Sequence, residues 1–175
     1  MITAILFMTF SCCLNKTSMQ ERFVEKYEYS DFSIFEDWQI EPREGDRSTD
    51  FLMRYVFPVI SDTVNDAISM LVYAQIFSSD SNVYSITVND FDKYRFCNKN
   101  DISLNNFNEY IDSVFVKFKK LNINSISAKK GVYKFRLKKD KLLLKYDESL
   151  SDVFLLRLDS LGYEKIASKW FYKSL

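Results

Sequence analysis

Apolar residues spaced three and four positions apart mark the clearest helix of the chain, over residues 104–121. These apolar positions are Leu104, Phe107, Ile111, Val114, Phe115, Phe118 and Leu121. Their spacing predicts an amphipathic α-helix with one buried face, and Ser103 suits its N-cap. We expect two shorter helices as well. One follows a capping box formed by Ser18 and Glu21, and the other covers residues 151–161 and ends at Gly162.

Alternation of apolar and polar residues at period two predicts the β-strands. The expected strands cover 29–40, 51–60, 83–88 and 163–172, and a hairpin over 132–146 turns near Lys139 and Asp140. Residues 70–77 fit a strand by composition and a helix by the period of their apolar positions, so both remain open. Aromatic residues make up 17% of the chain, which favours sheet. We expect an α+β fold, an antiparallel sheet-rich single domain that is sandwich-like, with one amphipathic helix near 104–121 and a short C-terminal helix.

The amino terminus has the features of an export signal. Residues 2–10 are almost wholly apolar, which is too short for a bilayer span but suits the apolar core of a signal peptide. Ser11-Cys12-Cys13 follows and resembles a bacterial lipobox, which implies cleavage before a lipidated cysteine. Cys12 is the expected lipidation residue because Ser11 occupies the small position before it, and Cys13 is the alternative. Residues 1–11 are then a signal peptide, 12–20 a lipid-anchored tether and 21–175 one globular domain. A buried amino-terminal strand is the competing interpretation.

The absence of histidine limits the catalytic and metal-binding sites that the chain can form. The chain contains no histidine, which excludes Ser–His and Cys–His nucleophilic pairs and His-ligated metal centres. Formal net charge is zero, so no overall field draws nucleic acid to the protein. We therefore predict no catalytic residue, no metal and no cofactor, and we expect no nucleic-acid partner.

Some polar and aromatic residues still suit chemistry, each with a simpler alternative. The carboxylates that suit glycoside cleavage are Glu36, Asp37, Glu41 and Glu44. Such cleavage requires two of them at a defined separation, whereas acidic loops are common. The oxygen-rich segment 89–92 suits calcium, but Asx turns explain it more simply. Trp38 and Trp170 suit either a glycan-binding surface or a half-buried core.

Charge is unevenly distributed along the chain. Residues 117–145 contain eleven basic side chains and the single acid Asp140. This asymmetry predicts a cationic face for an anionic partner, either an acidic protein surface or an anionic polymer of the cell envelope. Its residues are Lys130, Lys134, Arg136, Lys138, Lys139 and Lys141. The alternative is a solvated lysine face that protects an edge strand from aggregation.

The segments Asp37-Trp38, 57–64 and 70–73 together carry a resemblance. Their spacing is similar to that of uncharacterised Bacteroides-type small lipoproteins and secreted β-sandwich domains. Ile68 stands where that pattern has a glycine. The resemblance implies export and a sheet-rich fold, and it implies no activity.

These observations together predict a non-enzymatic lipoprotein of the cell envelope with a binding or structural role. It would be exported and lipid-anchored in the bacterial outer membrane or periplasm, with the membrane and a protein or anionic envelope polymer as partners. The first alternative is an immunity or inhibitor lipoprotein that neutralises a periplasmic toxin. The second is an exported glycan-binding or glycan-active protein.

Overall fold

Four helices and nine strands make up the part of the chain that the computed structural model describes, residues 18–43, 50–57, 69–76, 83–138, 140–147 and 151–175. The helices are α1 (Met19–Tyr27), α2 (Asp90–Asn100), α3 (Phe107–Leu121) and α4 (Asp152–Ser160), with 3₁₀ turns at Ser33–Phe35 and Leu104–Asn106. The strands are β1 (Trp38–Pro42), β2 (Asp50–Val56), β3 (Ser69–Ile76), β4 (Val83–Thr87), β5 (Ser125–Lys129), β6 (Val132–Lys138), β7 (Lys141–Tyr146), β8 (Glu164–Ala167) and β9 (Trp170–Ser174).

Local side chains determine where the helices begin and end. The Ser18 hydroxyl accepts the backbone N–H of Glu21 at 3.2 Å, and the Glu21 carboxylate accepts the backbone N–H of Ser18 at 2.7 Å. This capping box satisfies two of the free N–H groups at the start of α1. Asn89 starts α2 by accepting the N–H of Phe91 at 2.9 Å. Asn122 ends α3 in the left-handed conformation, with φ 53°, which asparagine tolerates better than most residues.

All strand pairs are antiparallel and belong to one continuous sheet, in the order β4-β3-β2-β1-β5-β6-β7-β9-β8. The amino-terminal strands β1–β4 run outward on one side, and β5–β9 occupy the other. The two halves meet at the β1–β5 pair, where Gln39 lies opposite Ser127 and Ile40 opposite Ile126. We call this pair the seam. Helices α2 and α3 form the connection from β4, at one edge, back to β5 at the seam.

One side of the sheet, which we call the helix face, is covered by α1, α2 and α3. Because side chains alternate along a strand, every second residue of β1, β2 and β6 points into this core. Phe51 stacks edge-on against Phe115 and Phe118 of α3, with ring centroids 5.4 and 5.5 Å apart. Phe23 of α1 lies 5.5 Å from Phe135. Burial of these rings is the main favourable contribution to folding here.

The other side, which we call the open face, is covered only in part. Helix α4 packs over its β7–β9 end, where Leu144, Tyr146, Leu158 and Phe171 form a second apolar cluster. Over β1, β5 and β6, no helix or strand of the described ranges packs on this face, and Lys134 and Arg136 are exposed there. Among the described residues, the sheet therefore has one side covered by helices and one side that is open along its middle.

The α+β, sheet-rich prediction is confirmed, together with the helix near 104–121 and the short C-terminal helix. In place of a sandwich, the described strands form one sheet, because helices and not a second sheet cover its apolar face. Residues 70–77 are a strand up to Ile76. The alternation over 163–172 belongs to two strands, β8 and β9, and residues 89–100 form the cap and body of a helix. The signal peptide, the start of the tether and residues 58–60 lie outside the described ranges.

Candidate functional site

The structure brings two of the predicted basic residues, Lys134 and Arg136, together on the open face. Along β6, Lys134, Arg136 and Lys138 are exposed and alternate with the buried Tyr133, Phe135 and Leu137. The three basic side chains make no hydrogen bond or ion pair with other described residues. Their charges are therefore directed to solvent and not neutralised within this part of the protein.

The other predicted basic residues do not share this position. Lys130 is in the β5–β6 turn, with φ 52°. Lys141 is in the same alternating set as Leu143 and so points to the helix face, where its ammonium donates to the Tyr172 hydroxyl at 3.1 Å. That hydrogen bond raises the pKa of Lys141. Lys139 lies outside the described residues. The predicted six-residue face is thus wrong for Lys141, because the pleat separates neighbours along a strand.

A groove runs beside Lys134 and Arg136, and its floor consists of polar side chains on the seam. Ser125 and Ser127 of β5 and Gln39 and Glu41 of β1 are half-buried on the open face. The Gln39 amide donates to the Glu41 carboxylate at 3.2 Å. Serine side chains are short, and the neighbouring strands carry longer ones. At β5 the floor is therefore recessed below the wall formed by Lys134 and Arg136.

The walls of the groove belong to β6 and β2. Lys134 pairs with Ser127 across the sheet and Arg136 pairs with Ser125, so both lie directly beside the floor. On the opposite side, Arg54 pairs with Gln39. The Nε atom of Arg54 is buried and has no hydrogen-bond partner among the described residues. An unsatisfied buried donor is costly. The residues of β2 that line the cavities beside it are Leu52 and Val56.

Three adjoining cavities give the groove its length. The first cavity, of about 290 Å³, lies near Val132, and the central cavity has about 280 Å³. Both are lined by Gln39, Ser127 and Lys134. Glu41, Ser125 and Arg136 line both the central cavity and a third of about 480 Å³ near Asn124. Because neighbouring cavities share these residues, they form one channel along β5. We call it the basic groove.

The carboxylates considered for catalysis have other roles. Glu36 accepts the backbone N–H groups of Lys130 and Gly131 and so holds the β5–β6 turn. Asp37 accepts a hydrogen bond from the Lys99 ammonium at 3.0 Å, and Lys99 also donates to the Tyr55 hydroxyl at 2.7 Å. Burial disfavours the charge of Lys99, but these two hydrogen bonds outweigh it and raise its pKa.

The remaining two carboxylates do not form a catalytic pair with these. Glu41 is on the groove floor, and Glu44 lies outside the described residues. Glu36 thus stabilises a turn, Asp37 forms an ion pair, and Glu41 lines the groove.

The tryptophans and the oxygen-rich segment also have structural roles. Trp38 and Trp170 are each 1% exposed, so the described structure places them in the core and not on a glycan-binding surface. Asn89 caps α2, as described above. Within the described ranges, no group of three or more Cys, Asp or Glu side chains is placed to hold a metal ion.

Cys12 and its alternative Cys13 lie outside the described residues. None of the described helices combines the length and the apolar character needed to cross a bilayer. No family model, no curated protein and no solved structure matches the chain.

Sequence reasoning missed the floor and the far wall of the groove. Ser125, Ser127, Gln39 and Arg54 come from three strands, two of them almost ninety residues apart in sequence. A local signal did exist, because Ser-Ile-Ser-Ala alternates polar and apolar residues at period two. Small side chains weaken that signal, since they resemble a loop as much as a strand.

Proposed function

We propose that the protein is a non-enzymatic lipoprotein of the cell envelope, anchored through Cys12, that binds an anionic macromolecule in the basic groove. One observation carries the binding part of the proposal. Lys134 and Arg136 lie, without ion-pair partners among the described residues, beside a recessed polar floor on the accessible side of the sheet. Charged groups placed in this way favour association with a surface of opposite charge.

A non-enzymatic role is supported by the chemistry of the groove. The chain has no histidine, and within the described ranges Ser125 and Ser127 make no hydrogen bond to a side chain that could act as their base. Its only carboxylate on the floor is Glu41, which accepts a hydrogen bond from Gln39. Nucleophilic and general acid–base catalysis both require a positioned pair of groups. The groove supplies hydrogen bonds and positive charge, which suit binding.

Anchoring is tested by mass spectrometry of the amino-terminal peptide from membranes of the native host. We expect a peptide that begins at a diacylglyceryl-modified Cys12. Modification at Cys13 would move the anchor by one residue and leave the proposal intact. An unmodified peptide that still contains residues 2–10, recovered from the soluble fraction, would refute the envelope location.

Anion binding is tested by charge reversal in the groove. Lys134→Glu with Arg136→Glu is expected to weaken binding to an anionic envelope polymer by on the order of tenfold or more, with a reduced dependence on salt. The matched control is Lys117→Glu with Lys120→Glu, which makes the same change in net charge on exposed positions of α3. Equal losses for the two double variants would show only a general charge effect and would refute the groove as the binding site.

A further inference from the structure

We propose that the ligand of the basic groove is a single extended chain of an acidic polysaccharide, laid along β5 with its anionic groups against Lys134 and Arg136. This inference rests on the proposed function, because it names the partner class of the same site. Four features of the groove support it, namely its shape, the pattern of its charges, the acceptor on its floor and the chemistry of its lining.

The shape favours a linear ligand. The three cavities follow one another in the direction of β5, from Lys129 at one end to Asn124 at the other. Five steps along a strand span roughly 17 Å at about 3.3 Å per residue. The floor is one to two strands wide, since β1 and β5 supply it and β2 and β6 form the walls. A channel of this form fits one extended chain better than the convex surface of a globular protein.

The charges follow the direction of the channel. Lys134 and Arg136 are two residues apart on β6, so their side chains point to the same side at a spacing of roughly 7 Å. A guanidinium group binds carboxylate or sulfate with two parallel hydrogen bonds. Anionic groups repeated along a polymer can meet these cations in succession.

Glu41 distinguishes a sugar from a purely acidic chain. Its carboxylate is on the floor between the two walls and is only half-buried. A carboxylate accepts hydrogen bonds and repels anions, so the ligand must offer donors at this point. Sugar hydroxyl groups are donors as well as acceptors, whereas the side chains of an acidic polypeptide only accept at neutral pH and its donors are its backbone N–H groups. Ser125 and Ser127 can hydrogen-bond to hydroxyl groups in either sense.

The lining does not resemble the centre of a protein–protein interface. Such centres are typically built around exposed aromatic anchors, with arginine, in desolvated pockets. Among the described residues of the groove, the one aromatic side chain is that of Trp38, which is 1% exposed. Apolar side chains such as Val56, Val132 and Leu142 also line the cavities, and the polar floor and the two cations beside them favour an anionic ligand that carries hydroxyl groups.

The test measures binding of the full chain to polygalacturonate, poly-L-glutamate and neutral dextran by titration calorimetry at low and physiological salt. We expect binding to polygalacturonate that is at least about tenfold tighter than to poly-L-glutamate, and no binding to dextran. Affinity should rise from the galacturonate monomer to the trimer and on to the hexamer, because a longer chain occupies more of the groove. Equal binding of the two polyanions would overturn the polysaccharide assignment.

A steric variant separates this inference from the proposed function. Ser127→Trp fills the floor without changing charge, and Ser113→Trp places the same side chain on an exposed position of α3. We expect Ser127→Trp to abolish polygalacturonate binding and Ser113→Trp to leave it unchanged. If Ser127→Trp fails to fold by circular dichroism, the smaller Ser127→Gln is used and should still weaken binding several-fold.

Failure of the polysaccharide inference and failure of the proposed anion-binding function would give different results. If reversal of Lys134 and Arg136 weakens binding while both changes at Ser127 leave it intact, the anion-binding face stands and the groove ligand is refuted. If the charge reversal also has no effect beyond its α3 control, the proposed binding function itself fails.

Discussion

Lys145 is a buried cation whose removal tests how the loop after α1 is held to the sheet. Its side chain is 8% exposed, and its ammonium donates to the Asp147 carboxylate at 2.7 Å and to the Ser30 carbonyl at 3.3 Å. It also lies 5.0 Å from the ring centroid of Phe32 and 5.5 Å from that of Tyr133. Lys145→Met keeps the length and the apolar stem but removes these polar contacts.

The expected cost follows from these contacts. A hydrogen bond to a charged group contributes about 1.5–3 kcal/mol, and cation–π contacts contribute about 0.5–2 kcal/mol. Relief of the desolvation of the ammonium offsets part of the loss. Asp147 is 42% exposed, so water solvates its carboxylate again once the partner is gone. We therefore expect Lys145→Met to lower the free energy of unfolding by about 2–3 kcal/mol.

The assay is urea unfolding followed by the fluorescence of the two buried tryptophans. Lys141→Met is the matched control, because Lys141 is on the same strand and also contacts a tyrosine, but its side chain is 31% exposed. We expect a much smaller loss for this control. If Lys145→Met costs no more than the control, the buried ammonium does not hold the loop. A stabilising effect would mean that desolvation outweighs the contacts.

Two other predictions concern the pH dependence and the β5–β6 turn. Burial, then the hydrogen bond to Asp147, raises the pKa of Tyr133, so the unfolded chain ionises first. Stability is then full below about pH 10 and falls as the pH rises further. Tyr133→Phe should reduce this fall in urea unfolding at alkaline pH, and an unchanged fall would refute the assignment. Lys130 and Gly131 have φ 52° and 69°, a turn conformation that Asn-Gly adopts more readily than Lys-Gly. Lys130→Asn should therefore stabilise the protein by about 0.5–1 kcal/mol. An unchanged or lower melting temperature would contradict this prediction.

Strongly periodic elements could be predicted from the sequence. Helix α3 buries six residues at helical spacing. In β6, buried and exposed residues alternate strictly after the half-buried first residue. Both patterns are local, so they are visible without knowledge of the fold. The capping box at Ser18 was visible for the same reason.

Elements with weak periodicity could not be predicted. Helix α2 buries only Phe96 and Cys97 and exposes Phe91 and Tyr94, so its apolar residues do not form one clear stripe. Its acidic start, with Asn89 and Asp90, resembles a turn as much as an N-cap.

The groove could not be predicted from the sequence, because its residues come together only through the pairing of distant strands. Gln39 meets Ser127 because β1 pairs with β5, although the two residues are far apart in the chain. Composition identified the basic wall at Lys134 and Arg136. It did not separate these from Lys141, because the face of a strand residue is set by register.

The position of the groove on the seam couples its formation to a long-range step of folding. Strands β1–β4 and the pairs among β5, β6 and β7 are built from neighbours in sequence, whereas the seam closes the loop that contains β2–β4, α2 and α3. Contacts of large sequence separation carry the greater entropic cost of loop closure. A ligand that spans β2, β1, β5 and β6 binds only the joined halves and stabilises them by mass action. Amide hydrogens of β1 and β5 should therefore exchange more slowly as the ligand concentration rises, which makes their exchange a direct measure of how firmly the two halves are held together.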